Sequence, residues 1–139
     1  MLGLFLTGCR RQCHDPCGDA ARNGDARSSV GGVVCCNGRA YSCVWINGGS
    51  SAAQNDKAKE LISKCTEEHE DTHHDDVDCS GTGPGTIRPP FKPGVSYSAA
   101  ECDGYSAEKS CLQREIANCD GDQQCISEVE AEEQNADTV

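Results

Sequence analysis

The sequence predicts a mainly α-helical domain with one small β-hairpin, an α+β fold that is rich in disulfides. Three observations support this prediction. Cysteine accounts for 12 of the 139 residues, whereas aromatic residues make up only 4%. Two long stretches have the apolar spacing of helices, and one short stretch surrounds a typical hairpin turn. A chain so poor in large apolar side chains needs cross-links or metal for part of its stability.

The hairpin is predicted for residues 33–46, VVCCNGRAYSCVWI. Two runs rich in β-branched and aromatic residues flank Asn37-Gly38, and an Asn-Gly pair is the strongest short-range hairpin signal. Residues 1–32 precede it as a cysteine-containing N-terminal arm without sustained periodicity. We expect one domain over residues 33–126 and an acidic C-terminal tail over residues 127–139.

Helices are predicted for residues 52–76, 98–118 and 122–133. The second begins where Ser98-x-x-Glu101 has the form of a capping box. Between the first two helices, residues 80–93 contain four prolines and three glycines, which predicts an irregular loop. The end of the last helix is expected to fray into the acidic tail.

The cysteine pattern favours disulfides over metal clusters. No C-x-x-C occurs in the sequence, although zinc ribbons and thioredoxin-type redox sites depend on that spacing. An even number of cysteines spread over the whole chain is typical of domains that mature in an oxidising compartment. The spacing does not determine which cysteines pair.

The net charge of −11 excludes a nucleic-acid binder of the usual basic kind. The longest apolar run, residues 2–6, is far shorter than the roughly 20 residues of a membrane-spanning helix. The first eight residues lack the cationic region and the length of a secretory signal peptide. If the domain is exported, we expect the address to lie in a larger secreted protein.

One local pattern has a chemical mechanism attached, the H-E-x-x-H of His69, Glu70 and His73 on the first long helix. Residues four apart on a helix share a face, so both imidazoles can bind one Zn²⁺. Glu70 is then placed as the general base that takes a proton from a zinc-activated water. The alternative is a solvated acidic face over residues 67–78, on which the histidines are merely polar.

A catalytic zinc needs a third protein ligand. The metzincin continuation is excluded, because it requires Gly and His where this chain has Asp76 and Cys79. The second helix, with ECDGYSAEKSCL, resembles the gluzincin arrangement, in which a glutamate on a downstream helix completes the site. Glu101 is the favoured ligand and Glu108 the alternative. His74 points about 100° away from His73 and is expected outside the ligand set.

The stretches VVCCNGRAYSCVW, SKCTEEHEDTHHDD and AECDGYSAEKSCL together resemble the cysteine-rich H-E-x-x-H metallopeptidase toxin domains of bacterial polymorphic toxins and type VI secretion effectors. The resemblance covers residues 33–126. It implies zincin-type zinc hydrolysis of a protein or peptide substrate, with delivery to the periplasm of a rival cell. It also implies a cognate immunity protein in the producer. In this interpretation Tyr105 is an oxyanion donor.

Two other functions compete with a peptidase of toxin type. The same zinc would suit a peptidoglycan peptidase or amidase in a periplasmic target. A non-catalytic, disulfide-stapled binding module with a structural metal is the third interpretation. It would be favoured if Cys65 or Cys79 supplied a thiolate that closed the coordination shell.

Overall fold

The computed structural model describes residues 13–26, 29–83 and 85–137. Over these residues the fold is mixed α+β, as predicted, with four α-helices and one two-stranded sheet. The elements in chain order are α1 Pro16–Arg22, β1 Gly31–Cys36, β2 Arg39–Val44, α2 Asp56–Asp71, α3 Tyr97–Glu115, a 3-10 turn Ile116–Cys119 and α4 Gln123–Asp137. None of the described helices is long and apolar enough to cross a bilayer.

The predicted hairpin is confirmed. Strands β1 and β2 pair antiparallel with Cys36 opposite Arg39, so Asn37-Gly38 forms the two-residue turn. Both turn residues have left-handed backbone angles, φ 51° and 77°, as a type I′ turn requires. On the other side of β1, Cys35 pairs with Ile87 from the proline-rich loop through two backbone hydrogen bonds of 2.8 and 3.1 Å.

Helix α2 is shorter than predicted at both ends. It begins at Asp56, where the Asn55 side chain accepts a hydrogen bond from the Ala58 N–H. It ends at Asp71, because the next N–H groups bond three residues back instead of four. The His73 N–H, for example, donates to the Glu70 carbonyl at 3.0 Å. The second histidine of the motif therefore lies in a tight turn just beyond the helix.

Helix α3 begins one residue before the predicted position, and its cap differs. The Ser96 side chain, not Ser98, accepts the capping bond from the Ala99 N–H at 3.3 Å. The capping-box prediction is therefore wrong, and Glu101 is not engaged at the helix N-terminus.

The two ends of the described chain are more regular than the sequence predicted. Helix α1 lies within the arm that was expected to be irregular, and β1 begins at Gly31, two residues early. Helix α4 continues to Asp137, four residues beyond the predicted end, because Val129 and Ala136 are buried against the core. The expected fraying does not occur over residues 127–137. The division into arm, domain and tail stays a prediction.

Helices α2, α3 and α4 enclose the largest apolar core. Its most buried members come from all three helices: Leu61, Ile62, Cys65, Cys111, Leu112, Cys125 and Val129. A second cluster lies under β1 and the loop that follows α2, and a third lies between the sheet and α1. Each cluster contains cysteine, as expected where disulfides replace aromatic bulk.

Five disulfides join the described elements: Cys13–Cys36, Cys17–Cys43, Cys35–Cys79, Cys65–Cys111 and Cys119–Cys125. Three of these bridges attach to the sheet the segment just before α1, α1 itself and the loop after α2, and Cys65–Cys111 joins α2 directly to α3. Among the described cysteines, Cys102 is free and exposed. The disulfide-rich character predicted from the sequence is confirmed.

Two carboxylates of α4 hold the segment that leads into α2. Glu132 is 3% exposed and accepts hydrogen bonds from the Ser51 N–H at 2.9 Å and the Ser51 hydroxyl at 2.7 Å. Glu128 accepts from the Asn55 N–H at 2.7 Å. These contacts hold the chain in turns before Asp56, which explains the late start of α2.

A bridge that closes a longer loop should contribute more to stability, with the logarithm of the loop length. Cys65–Cys111 has a sequence separation of 46 and Cys119–Cys125 one of 6. In the chain-entropy model, paired Cys→Ala substitutions should cost about 4 kcal/mol for the first and about 2 kcal/mol for the second. Urea unfolding measures both, with Cys102→Ala as a control expected to be near neutral. An equal cost for the two pairs would contradict the ranking.

Candidate metal centre

The end of α2 brings the H-E-x-x-H residues to the middle of the molecule. His69 lies on the last turn of α2 and His73 in the turn that follows, and the two rings are 5% and 4% exposed. Helix α2 passes close to β1, because a Cβ atom at Gly31 would lie 2.8 Å from the Thr66 methyl group and 3.3 Å from Oε2 of Glu70. The absence of a side chain at Gly31 therefore lets Glu70 lie against the sheet.

Helix α3 supplies the opposite wall of the site. Glu101, Gly104, Tyr105 and Glu108 have the spacing i, i+3, i+4, i+7, which places them on one helix face. That face packs against the histidines, with the ring of Tyr105 edge-on to His69 at a centroid distance of 4.5 Å. The inward face of α3 is thus polar at this end and apolar near Cys111 and Leu112.

The Glu101 carboxylate lies beside both histidines. Its Oε1 atom is 2.8 Å from Nε2 of His73 and 3.8 Å from Nε2 of His69. These three atoms face one another across the gap between α3 and the end of α2.

Glu108 contacts the other side of the His69 ring. Its Oε1 atom is 2.8 Å from Nδ1 of His69, and both side chains are buried. In the neutral imidazole, a proton on Nδ1 donated to this carboxylate leaves Nε2 with its lone pair free on the side of Glu101. Carboxylates in this position orient metal-binding histidines in many metalloproteins.

His73 is buried beside two carboxylates: Oε1 of Glu101 lies 2.8 Å from Nε2, and Oδ2 of Asp76 lies 3.7 Å from Nδ1. Among the described residues, no group forms a hydrogen bond with Nδ1 or Nε2. The contact between Glu101 Oε1 and Nε2 is an ion pair when the imidazole is protonated. A buried polar group without a well-aligned hydrogen bond is costly, and a cation bound between Nε2 and the Glu101 carboxylate would remove that cost. A buried imidazole nitrogen that faces a carboxylate in this way fits a metal ligand.

His69, Glu70 and His73 could hold a metal ion, since each offers a ligand atom and these atoms lie within 4.8 Å of one another. Imidazole and carboxylate suit zinc and other first-row divalent ions. The Glu101 carboxylate lies beside the same two imidazoles, so the site contains two carboxylates, one for the role of ligand and one for the role of base.

The charges of the site depend strongly on one another. Burial disfavours the charged form of His69, but its contacts with Glu101 and Glu108 outweigh burial and raise its pKa to about 9. The same contacts, first with His69 and then with His73, lower the pKa of Glu101 to about 2. The nearby Glu101 carboxylate also raises the pKa of His73. Burial raises the pKa of Glu70 and of Tyr105.

A cleft of about 360 Å³ opens beside these residues. One wall is apolar, with Phe91 at a ring distance of 5.9 Å from His73 and Tyr97 at 5.4 Å from Phe91. Tyr97 is 64% exposed at the N-terminus of α3. A molecule entering the cleft contacts six polar side chains, which we call the polar cluster: His69, Glu70, His73, Glu101, Tyr105 and Glu108.

The structure brings together every residue that the sequence singled out for the site: His69, Glu70, His73, Glu101 and Tyr105. Glu108, the alternative ligand, contacts His69 from the side away from Glu101. Cys65 and Cys79 are both in disulfides, so neither offers a thiolate to close a coordination shell. His74 does not line the cleft, and its Nε2 atom lies 2.7 Å from the Ser42 hydroxyl.

Sequence reasoning missed Gly104 and the aromatic wall. A Cβ at Gly104 would lie 2.6 Å from Nε2 of His69, so the ring occupies the space of the missing side chain. The spacing of Glu101, Gly104, Tyr105 and Glu108 along one face could have indicated this role. Nothing local in the sequence relates Phe91 to His73, because the loop between them has no regular period.

Comparison with known proteins gives no further guidance. No protein-family model, curated protein or solved structure significantly matches this chain. The family resemblance of the motifs stays a prediction, and the interpretation of the site depends on its own geometry.

The metal-free protein should be more stable at pH 6 than at pH 9.5. Because the pKa of His69 rises from 6.5 to about 9 on folding, its contribution is complete below pH 6.5 and is lost as the pH rises through 9. The pKa of Glu101 falls from 4.5 to about 2, so its contribution holds above pH 4.5 and is lost towards pH 2. Both shifts reflect the same contacts and are not additive. Thermal unfolding in the presence of a chelator measures the effect.

His69→Gln serves as the comparison for this pH series. Without the imidazole, the difference between pH 6 and pH 9.5 should shrink. A wild-type melting temperature that is the same at the two pH values would show that His69 does not carry the charge assigned to it.

Proposed function

We propose that this chain is a zinc-dependent metallopeptidase of the H-E-x-x-H type, with a gluzincin-like ligand set, that acts as a secreted antibacterial toxin domain. The observation that carries the proposal is the meeting of His69, His73 and Glu101 beside an open cleft, with the Glu101 oxygen 2.8 and 3.8 Å from the two Nε2 atoms. Three protein ligands and an accessible position are the arrangement of a catalytic zinc site, whereas structural zinc sites are closed by four ligands.

The ligand assignment follows from which atoms share a side of the histidine rings. Glu101 faces both Nε2 atoms, whereas Glu108 is engaged with Nδ1 of His69. In this proposal Glu101 binds the zinc and Glu108 fixes the orientation of His69. Glu70, which is next to the first ligand in sequence and lines the cleft, remains for proton transfer.

The remaining groups suit peptide hydrolysis. Zinc bound here would supply Lewis acidity to a substrate carbonyl and would lower the pKa of a water molecule. The Glu70 carboxylate would accept a proton from the attacking water and pass it to the leaving amine. Tyr105 lines the same cleft beside His69, where its hydroxyl would donate a hydrogen bond to the developing oxyanion.

The disulfides support the proposed compartment. Ten cysteines in five bridges are consistent with an extracellular protein and with a periplasmic place of action, because thiols stay reduced in most cytosols. The resemblance to effector toxins implies the rest of the proposal: passage as part of a larger protein, a protein or peptide substrate and a cognate immunity protein in the producer. A periplasmic target also favours peptidoglycan stem peptides or amide bonds as a second candidate substrate.

Replacing the two α3 glutamates should affect zinc binding to different degrees. Glu101→Ala removes a proposed ligand and should weaken zinc affinity more than 100-fold, whereas Glu108→Ala removes an orienting partner and should weaken it about 10- to 100-fold. Competition titration against a chromophoric chelator measures both, and wild type should bind one zinc per chain. Tight binding by Glu101→Ala together with loss in Glu108→Ala would reverse the assignment.

Glu70→Gln should keep the zinc and lose activity by a factor on the order of 10² to 10⁴, the usual contribution of a general base. Glu67→Gln is the matched control, because Glu67 is exposed on the same helix. Two probes identify the bond that is cut: fluorogenic casein for protein substrates and purified muropeptides for peptidoglycan. A fully active Glu70→Gln protein, or a wild-type protein without zinc affinity, would refute the proposal that the chain is a zinc peptidase.

The toxin role is tested with the same variants. Each is fused to a signal peptide and expressed in a bacterial host, with a cytoplasmic form beside it. Growth arrest is expected for exported wild type and Glu67→Gln but not for exported Glu70→Gln. Zinc-dependent hydrolysis in vitro without growth arrest would support the peptidase activity and contradict the toxin role.

A further inference from the structure

We propose that Gly104 is a positioning residue of the metal site: the absence of a side chain there allows the His69 ring to present Nε2 beside Glu101. The inference rests on the proposed function, because it takes Nε2 of His69 as a zinc ligand. It extends that function to a residue that has no ligating atom of its own.

The contact between the ring and the helix leaves no room for a methyl group. A Cβ atom at Gly104 would lie 2.6 Å from Nε2 of His69, 2.7 Å from Cδ2 and 3.1 Å from Cε1. Carbon atoms in van der Waals contact are normally about 3.5 to 4.0 Å from their neighbours. The overlap includes the nitrogen proposed to bind zinc, so any side chain at this position must displace that atom.

The backbone does not explain the glycine. Gly104 lies in the interior of α3 and is not among the described glycines with left-handed angles. Glycine in a helix interior is less favourable than alanine, because it loses more conformational freedom on folding. The close approach of the His69 ring accounts for a glycine at a position where the helix itself would favour alanine.

Three restraints make it costly for the His69 ring to move aside. Glu108 holds Nδ1 at 2.8 Å, and Tyr105 packs edge-on against the ring. The helices cannot easily separate either, because Cys65–Cys111 joins them one turn away from His69 on α2 and from Glu108 on α3. An added methyl group must therefore turn the ring, break the contact with Glu108 or move Nε2 away from Glu101.

Gly104→Ala should weaken zinc affinity about 10- to 100-fold, the range found when an orienting partner of a ligand is lost. The metal-free variant should stay folded with a melting temperature close to that of wild type, because the helix propensity of alanine offsets much of the cost of turning the ring. Loss of metal affinity without loss of stability separates a positioning role from a general packing role. Cobalt-substituted protein should also show altered d–d absorption bands, which report the coordination geometry independently of activity.

The experiment compares wild type with Gly104→Ala, and Ser106→Ala and Ser110→Ala are matched controls at exposed positions of the same helix. Zinc affinity is measured by chelator competition and metal-free stability by circular dichroism. A double-mutant cycle with Glu108→Ala adds a second criterion. Once Glu108 no longer holds the ring, Gly104→Ala should cost less affinity than it does in the wild-type background.

The outcomes are distinct. Wild-type zinc affinity in Gly104→Ala would overturn this inference and leave the proposed function intact. A metal-free Gly104→Ala protein that is unfolded or clearly less stable would also overturn it, because the contact would then serve packing. Absence of zinc binding in wild type would overturn the proposed function and this inference with it.

Discussion

The disulfide between Cys65 and Cys111 is the constraint on which the site depends. It joins α2 to α3 at the boundary between the apolar core and the polar cluster, with His69 one turn beyond it on α2 and Glu108 one turn before it on α3. The bridge therefore fixes the distance between α2 and α3 next to the contact between His69 and Glu108. The core on the other side of the bridge is small, and aromatic residues contribute little to it, so packing alone would hold the helices less firmly.

The polar cluster is balanced by its own charges. Two carboxylates of α3 face the two buried histidines of α2 and of the turn after it, and each pair would be costly to bury without its partner. In the absence of metal, protons on the imidazoles fulfil part of the role that a cation would otherwise have. A metal ion binding here would have to displace those protons, so its affinity would increase with pH over the range in which the histidines titrate.

Local signals in the sequence were sufficient for the hairpin and the metal motif. Asn37-Gly38 determines its turn through its own backbone preferences, and His69 and His73 are only four residues apart. Long-range contacts decided what the sequence did not predict. The start of α2 depends on Glu132, which is 81 residues from Ser51, and the need for glycine at position 104 arises from a ring that lies 35 residues earlier in the chain. The sequence did not decide between Glu101 and Glu108 as the third ligand, because their spacing places both on one helix face without indicating which histidine nitrogen each carboxylate contacts.

The bridge between the helices has a thermodynamic consequence. In small zinc domains that unfold without metal, the free energy of metal binding is also the free energy of folding. Here the bridge and the helical core hold the candidate donor atoms together without an ion, so removal of a bound ion would leave an assembled cavity instead of a disordered chain. Exchange of a bound metal ion would then be a local, reversible event that can be repeated without refolding. For the proposed metalloenzyme, a chelator and a reductant would consequently produce two different inactive states, one that recovers on adding the ion and one that first needs reoxidation.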